Sequence, residues 1–359
     1  MIRCLVVDDA RTFRAVMREI LATAPGVEIV GEASDGREAV ALVKTLRPDV
    51  VTMDVRMPGV DGLAALGEIM RVAPTPVIVV SAEAGGEAQQ LSFRALQLGA
   101  IEVLAKPRDP GTPRFERQAE EIRQAVRAVA GLVLVGRRRP SPLELPAVTP
   151  VRGTPLPEPA FAPPAPTERP EVVAIAASTG GPAALATLLA RLPRDLAVPV
   201  LVVQHISAGF EAGLANWLAT TSRLDVRIAE EGAPLARATV YVAADGLHLG
   251  VAGRRIRLDD DPPIEGFRPS ATHLFASVAR EFGARAAGFV LTGMGRDGAD
   301  GLALMRAAGA YTAVQSAASS VVFGMPKAAL ECGAADRALD LDEVAVEIRR
   351  LAGDVRRSP

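Results

Sequence analysis

Short apolar runs rich in Val, Ile and Ala alternate along this chain with longer stretches whose apolar residues recur every three or four positions. The first kind reads as buried parallel strand, the second as helix. In the N-terminal part the pattern predicts strands over Leu5–Val7, Glu28–Val30, Val50–Met53, Val77–Val80 and Glu102–Leu104. Helices are predicted over Arg11–Ala22, Gly36–Leu46, Leu63–Arg71, Glu87–Leu98 and Pro113–Val135. A succession of strand–helix units implies a doubly wound parallel sheet with right-handed crossovers. The periodicity stops at residues 136–170, where Arg137-Arg138-Arg139 precedes a Pro/Ala-rich run that includes Pro163-Pro164-Ala165-Pro166. Proline lacks a backbone donor and disfavours helix and sheet interiors, so this segment reads as a semi-extended linker. From Glu171 the alternation resumes. An apolar run from Val172 ends at Ser178, and further strands are predicted over Val198–Val203, Val226–Ala229, Thr239–Val242, Arg255–Leu258, Gly288–Leu291 and Tyr311–Val314. Helices are predicted over Gly181–Arg191, Glu211–Thr221, Thr272–Phe282 and Gly301–Ala308. The Thr239–Leu258 stretch, with Asp245-Gly246 and Gly253 as turn signals, reads as one or two hairpins. The expected architecture is α/β: two doubly wound parallel-sheet domains, residues 1–135 and 171–359, joined by the linker.

Composition narrows the partners. A chain of 359 residues exceeds one ordinary core. A net charge of −2 and the absence of a basic recognition helix argue against nucleic acid and against an anionic membrane surface. Cys4 and Cys332, far apart and in or beside apolar segments, fit a reducing compartment rather than a disulfide framework. No apolar stretch reaches the roughly 18 residues of a membrane span, and the N-terminus lacks a signal-peptide layout, so a cytoplasmic location without membrane insertion is expected.

Several polar residues sit where the predicted strands of the first domain end. Asp8 and Asp9 follow the first strand, Asp54 the third, Ser81 the fourth and Lys106 the fifth. Such positions gather at the carboxyl edge of a parallel sheet, where ligands bind. Three clustered carboxylates repel one another and call for a cation, and an oxygen-only set suits Mg²⁺. Ser81 and Lys106 would then hold a phosphoryl group on Asp54. With Asp8-Asp9, Met53-Asp54-Val55-Arg56-Met57-Pro58, Ser81 and Lys106-Pro107, the segment resembles the response-regulator receiver family, a flavodoxin-like fold. The resemblance implies that Asp54 accepts phosphate from a sensor histidine kinase and that Asp8, Asp9 and Asp54 hold Mg²⁺. Two positions depart from the family's habit: Val103 stands where an aromatic switch residue is common, and Arg56 where an acidic or small residue is common.

In the second domain Ser178 and His205 each end an apolar run, so both are expected on the same sheet edge. The run Gly288–Leu291 leads into Thr292-Gly293-Met294-Gly295-Arg296-Asp297-Gly298 and delivers a carboxylate there. A hydroxyl, an imidazole and a carboxylate converging on one edge suggest a nucleophilic hydrolase in which His205 activates Ser178 and Asp297 orients His205. Asp300 is the rival carboxylate. His248 reads as half-exposed in a hairpin, and His273 lies near a helix start. Thr179-Gly180-Gly181, followed by Pro182, aims backbone N–H groups at the edge and offers an oxyanion cradle; the glycine loop at Gly293 offers another. The Rossmann and P-loop fingerprints are absent, and Ala176 breaks the nucleophile-elbow pattern G-x-S-x-G.

The motifs Ala177-Ser178-Thr179-Gly180-Gly181-Pro182, Gln204-His205, Phe267-Arg268-Pro269-Ser270, Leu291 to Gly301 and Ser320-Val321-Val322-Phe323-Gly324-Met325-Pro326 are similar to those of the chemotaxis protein-glutamate methylesterase (CheB) family. Ser207 and Gln315-Ser316-Ala317 depart from its common pattern. The resemblance implies a Rossmann-like catalytic domain with Ser178 as nucleophile, His205 as general base, Asp297 as its orienter and the Met294 amide as an oxyanion donor. It further implies a phosphorylation-activated methylesterase and glutamine deamidase that acts on the cytoplasmic helices of methyl-accepting chemoreceptors and needs no cofactor for the ester chemistry.

Overall fold

The computed structural model describes residues 1–59, 61–81, 87–134, 148–149 and 168–353. Most of the expected linker, its arginine triplet included, lies outside them. The chain divides into two compact units, Met1–Gly153 and Thr154–Pro359.

In the first unit β1 (Ile2–Val7), α1 (Arg11–Ala22), β2 (Val27–Ala33), α2 (Gly36–Leu46), β3 (Val50–Met53), α3 (Gly62–Val72), β4 (Val77–Ser81), α4 (Glu87–Leu98), β5 (Glu102–Ala105) and α5 (Pro113–Val129) alternate without exception. The sheet order is β2-β1-β3-β4-β5, parallel throughout, which is the flavodoxin-like order. β3 and β4 are buried at every position, which explains their uninterrupted apolar sequences. Asp35, Asp61 and Thr112 cap α2, α3 and α5 by accepting first-turn amides. α5 is shorter than its apolar period suggests. It ends at Val129, because Ala130 is extended and Gly131 takes φ +90, a left-handed stop. Beyond it β6 (Val133–Leu134) pairs antiparallel with β7 (Val148–Thr149).

The second unit runs β8 (Val172–Ala177), α6 (Gly181–Ala190), β9 (Val200–Gln204), α7 (Glu211–Thr221), β10 (Asp225–Ile228), β11 (Thr239–Val242), β12 (His248–Ala252), β13 (Arg255–Asp259), α8 (Ala271–Phe282), β14 (Ala286–Val290), α9 (Ala299–Ala307), β15 (Tyr311–Gln315), α10 (Met325–Glu331), β16 (Ala338–Leu339) and α11 (Leu341–Leu351). Seven strands form one parallel sheet in the order β10-β11-β9-β8-β14-β15-β16. β8 sits at its centre, and β8, β9 and β14 are buried at every position. α6 is packed on nearly all sides: Gly181 to Ala186, Leu188 and Leu189 are all buried. Removing a Leu, Ile or Phe side chain from water is worth about 1.5–3 kcal/mol, and Ile175, Leu185, Leu201 and Phe289 are each fully buried.

Two expectations are corrected. Thr239–Val242 is not a hairpin arm; it lies parallel between β10 and β9, because all four of its side chains are buried and a central strand satisfies that. Only β12 and β13 form a hairpin, turning through Gly253 and Arg254. His248 is not half-exposed but fully buried. Its Nδ1 accepts from the Ser270 amide at 3.2 Å, its Nε2 meets the Pro262 carbonyl at 3.2 Å, and its ring stacks on His273.

Candidate functional sites

In the first unit the strand ends bring the expected residues together. Asp8 and Asp54 are buried, and carboxylate oxygens of Asp8, Asp9 and Asp54 lie within 4.8 Å of one another. The Lys106 ammonium sits 2.6 Å from an oxygen of Asp54 and 2.6 Å from one of Asp8, with the Phe13 ring 4.6 Å away. Burial raises the Asp8 pKa, the Asp54 charge adds to the rise, and Lys106 opposes it. Burial works against the Lys106 charge, yet the two carboxylates outweigh it and its pKa is raised. Ser81 ends the neighbouring strand, where its carbonyl accepts from the Lys106 amide at 2.8 Å, and its hydroxyl is buried without a hydrogen-bond partner. All-oxygen donors in surplus negative charge, beside an orphaned hydroxyl, fit a hard divalent cation and an incoming anion. A pocket lined by Asp54, Arg56, Met57, Leu91 and Lys106 opens there.

In the second unit β8 pairs with β9 up to Ala177 and Gln204, so Ser178 and His205 stand one position beyond, side by side. The His205 amide donates to the Ala177 carbonyl at 2.9 Å, and the Ser178 amide to the Thr292 carbonyl at 3.0 Å. Ser178 is thereby seated between the strand that ends at His205 and the loop that carries Asp297. His205 Nε2 lies 2.8 Å from Asp297 Oδ2. Its other ring nitrogen, Nδ1, is buried and has no partner. The structure shows no hydrogen bond from the Ser178 hydroxyl to this imidazole.

Asp297 is 1% exposed. Burial alone would push its pKa up, but hydrogen bonds from His205, Ser270 and the Ala271 amide overcome that and hold it at about 2. The Ser270 hydroxyl donates to it at 2.7 Å, the Ala271 amide at 2.7 Å and the Thr272 amide at 3.1 Å. The N-terminus of α8 thus points its free N–H groups and its dipole at the carboxylate. Asp300, the rival, instead pairs with Arg296 at the surface.

Glycines shape the cradle. Gly180 takes φ +75, and a Cβ there would lie 2.7 Å from Val321. A Cβ on Gly293 would lie 2.8 Å from the Ser178 Cβ, so the 293–298 loop passes directly against the serine. Met294 is the next residue in the chain.

A relative from Anaeromyxobacter dehalogenans (strain 2CP-C), a protein-glutamate methylesterase/protein-glutamine glutaminase, is 48% identical over 347 residues, 96% of this chain and 97% of its own. The chain belongs to the CheB family. A profile of the CheB methylesterase domain matches residues 173–348, and one of the response regulator receiver domain matches residues 4–112. A Myxococcus xanthus (strain DK1622) member with the same description is 45% identical, covering 96% of this chain and 95% of its own. The crystal structure of the Thermotoga maritima CheB methylesterase catalytic domain is 33% identical, covering 51% of this chain and 98% of its own, with a TM-score of 0.49.

Several residues of this CheB site are assigned no role by the sequence. Gln204 donates through one carboxamide nitrogen to the carbonyls of both Ser178 (2.8 Å) and His205 (2.7 Å). Ser270 both caps α8 and holds Asp297; a serine ahead of an apolar-periodic run was the available signal. Phe267 lies flat on the His205 ring, centroids 4.0 Å apart and planes within 4°. Nothing local announces that contact.

Proposed function

We propose that this protein is a phosphorylation-activated protein-glutamate methylesterase, and by the same chemistry a glutamine deamidase, acting on the cytoplasmic helices of methyl-accepting chemoreceptors. The observation that carries the reading is the His205–Asp297 pair at 2.8 Å with the buried, unpartnered Nδ1 of His205 one strand from Ser178.

Serine is a poor nucleophile until a base takes its proton. Asp297 accepts Nε2–H and so leaves the lone pair of His205 on Nδ1, toward Ser178. As Ser178 Oγ attacks the γ-carbonyl of a glutamyl methyl ester, His205 takes the hydroxyl proton. The oxyanion receives hydrogen bonds from the Met294 amide and the glycine cradle. Collapse expels methanol, which takes the proton from His205. Water, deprotonated by the same nitrogen, then cleaves the acyl-serine to free glutamate and regenerate Ser178. With a glutamine side chain ammonia leaves instead. Asp297 offsets the imidazolium charge throughout.

In the receiver unit Asp54 accepts phosphate from a sensor histidine kinase. Asp8, Asp9 and Asp54 would hold Mg²⁺, which when bound neutralises charge on the transferring phosphoryl group. Ser81 and Lys106 hold the phosphoryl oxygens. The domain limits that serve this division are residues 1–135 and 171–359, with 136–170 as linker, and the setting is cytoplasmic. Among the described residues no helix is long and apolar enough to cross a membrane.

The test is methanol release from a methylated receptor fragment by the full chain, with and without a small phosphodonor and Mg²⁺. Release that rises with the phosphodonor, fails to rise in Asp54→Asn and vanishes in Ser178→Ala supports the reading. Undiminished release by Ser178→Ala overturns it.

A further inference from the structure

Residues 260–269 form a strap between β13 and α8 that is braced at several points. Ile264 and Phe267 exchange backbone hydrogen bonds of 3.1 and 2.9 Å. The two residues between them, Glu265 and Gly266, have φ of 50 and 87. Two positive φ values in a two-residue turn are the type I′ pattern, which glycine adopts freely and glutamate does not. The Glu265 side chain pairs with Arg296 at 2.7 Å, on the loop that carries Asp297. Arg268 Nη1 donates to the Asp260 and Asp261 carbonyls at 2.9 and 3.3 Å, and His248 Nε2 meets the Pro262 carbonyl at 3.2 Å. A braced strap with a non-glycine residue at positive φ is unfavourable by itself, and such backbone strain persists where the surroundings over-determine it. Its product is the Phe267 ring laid flat on the imidazole of His205.

We propose that Phe267 is a positioning residue for His205: its face fixes the plane of the imidazole so that Nδ1 stays directed at Ser178 while Nε2 stays on Asp297. The proposal rests on the reading of Ser178, His205 and Asp297 as nucleophile, base and orienter. One hydrogen bond at Nε2 pins a single edge of the ring and leaves it free to swing about that bond. Nδ1 has no partner to stop the swing. A parallel aromatic face does stop it, because any tilt drives the imidazole edge into the phenyl ring. The same face favours the cation that forms when His205 takes the serine proton, since a π face attracts an imidazolium more than a neutral ring. That attraction grows on the way to the transition state, so its loss appears in kcat rather than KM.

The test uses the full chain with a phosphodonor and a methylated receptor fragment. Phe267→Leu keeps most of the bulk and removes the flat face; Phe267→Tyr keeps the face. The expected result is a kcat lowered about 5- to 30-fold in Phe267→Leu with KM unchanged, and kcat close to wild type in Phe267→Tyr. In NMR spectra the His205 ring C–H resonances of the wild-type protein are expected upfield, under the phenyl ring current, and displaced downfield in Phe267→Leu. An unshifted wild-type resonance, a Phe267→Leu protein with wild-type kcat, equal losses in the two variants, or a change confined to KM overturns the proposal while leaving the esterase reading in place. Wild-type protein that releases no methanol overturns that reading and this proposal together.

Discussion

The Asp297 carboxylate receives hydrogen bonds from His205, Ser270, Ala271 and Thr272, and its pKa falls from 3.8 to about 2. A folded-state pKa below the unfolded one gives stability that is fully present above the unfolded value and is lost as pH falls through the folded one. From the two values the contribution is roughly 2 kcal/mol, lost between about pH 4 and pH 2. Trp217, the only tryptophan, lies in the second unit, so its fluorescence follows that unit alone during denaturant unfolding. The expected outcome is a midpoint that drops across this window in wild type and drops less in Asp297→Asn. The same variant exchanges a charge for a neutral amide and permits the wrong His205 tautomer, so kcat for methanol release is expected to fall by about four orders of magnitude.

The seat of Ser178 is made by element ends, and their tolerances are narrow. A methyl group on Gly293 would meet the Ser178 Cβ at 2.8 Å, so Gly293→Ala is expected to destabilise the second unit by about 1–3 kcal/mol and to depress esterase activity further than the stability loss explains. Ser270→Ala removes a helix cap and a donor to Asp297 together; a loss of about 1 kcal/mol in unfolding, with a fall in kcat, is expected. Elements of this kind were unequally legible in the sequence. β3, β4, β8, β9 and β14 are buried on both faces, so their apolar runs announced them and fixed which polar residue stood at each end. The apolar period of α5 continues past Gly131 and so suggests a longer helix than the backbone conformation at Gly131 allows. Short turn signals follow β11 and suggest a hairpin arm, whereas its partners are decided by burial across the sheet. The buried state of His248 and the Phe267–His205 stack depend on a strap folding back over the sheet edge, and no spacing along the chain encodes that. α11 carried a readable capping box, Asp340 with Glu343, that the apolar pattern alone passed over.

At the scale of the molecule, each unit gathers its candidate residues at the carboxyl edge of a parallel sheet: Asp8, Asp9 and Asp54 in one, and Ser178, His205 and Asp297 in the other. If phosphate on Asp54 governs the second through the first, the 168–359 fragment is expected to cleave the ester at a rate indifferent to phosphodonor, while the full chain responds. Equal, unresponsive rates in both would remove the regulatory link. The platform beneath Ser178 sets a condition on any such control. α6 follows the serine directly and is walled in along almost its whole length, so its backbone amides from Ala184 to Leu189 should exchange with deuterated solvent only when the entire unit opens. Local fraying of this helix is then not a means of moving Ser178, and the seat stays close-packed for as long as the unit is folded.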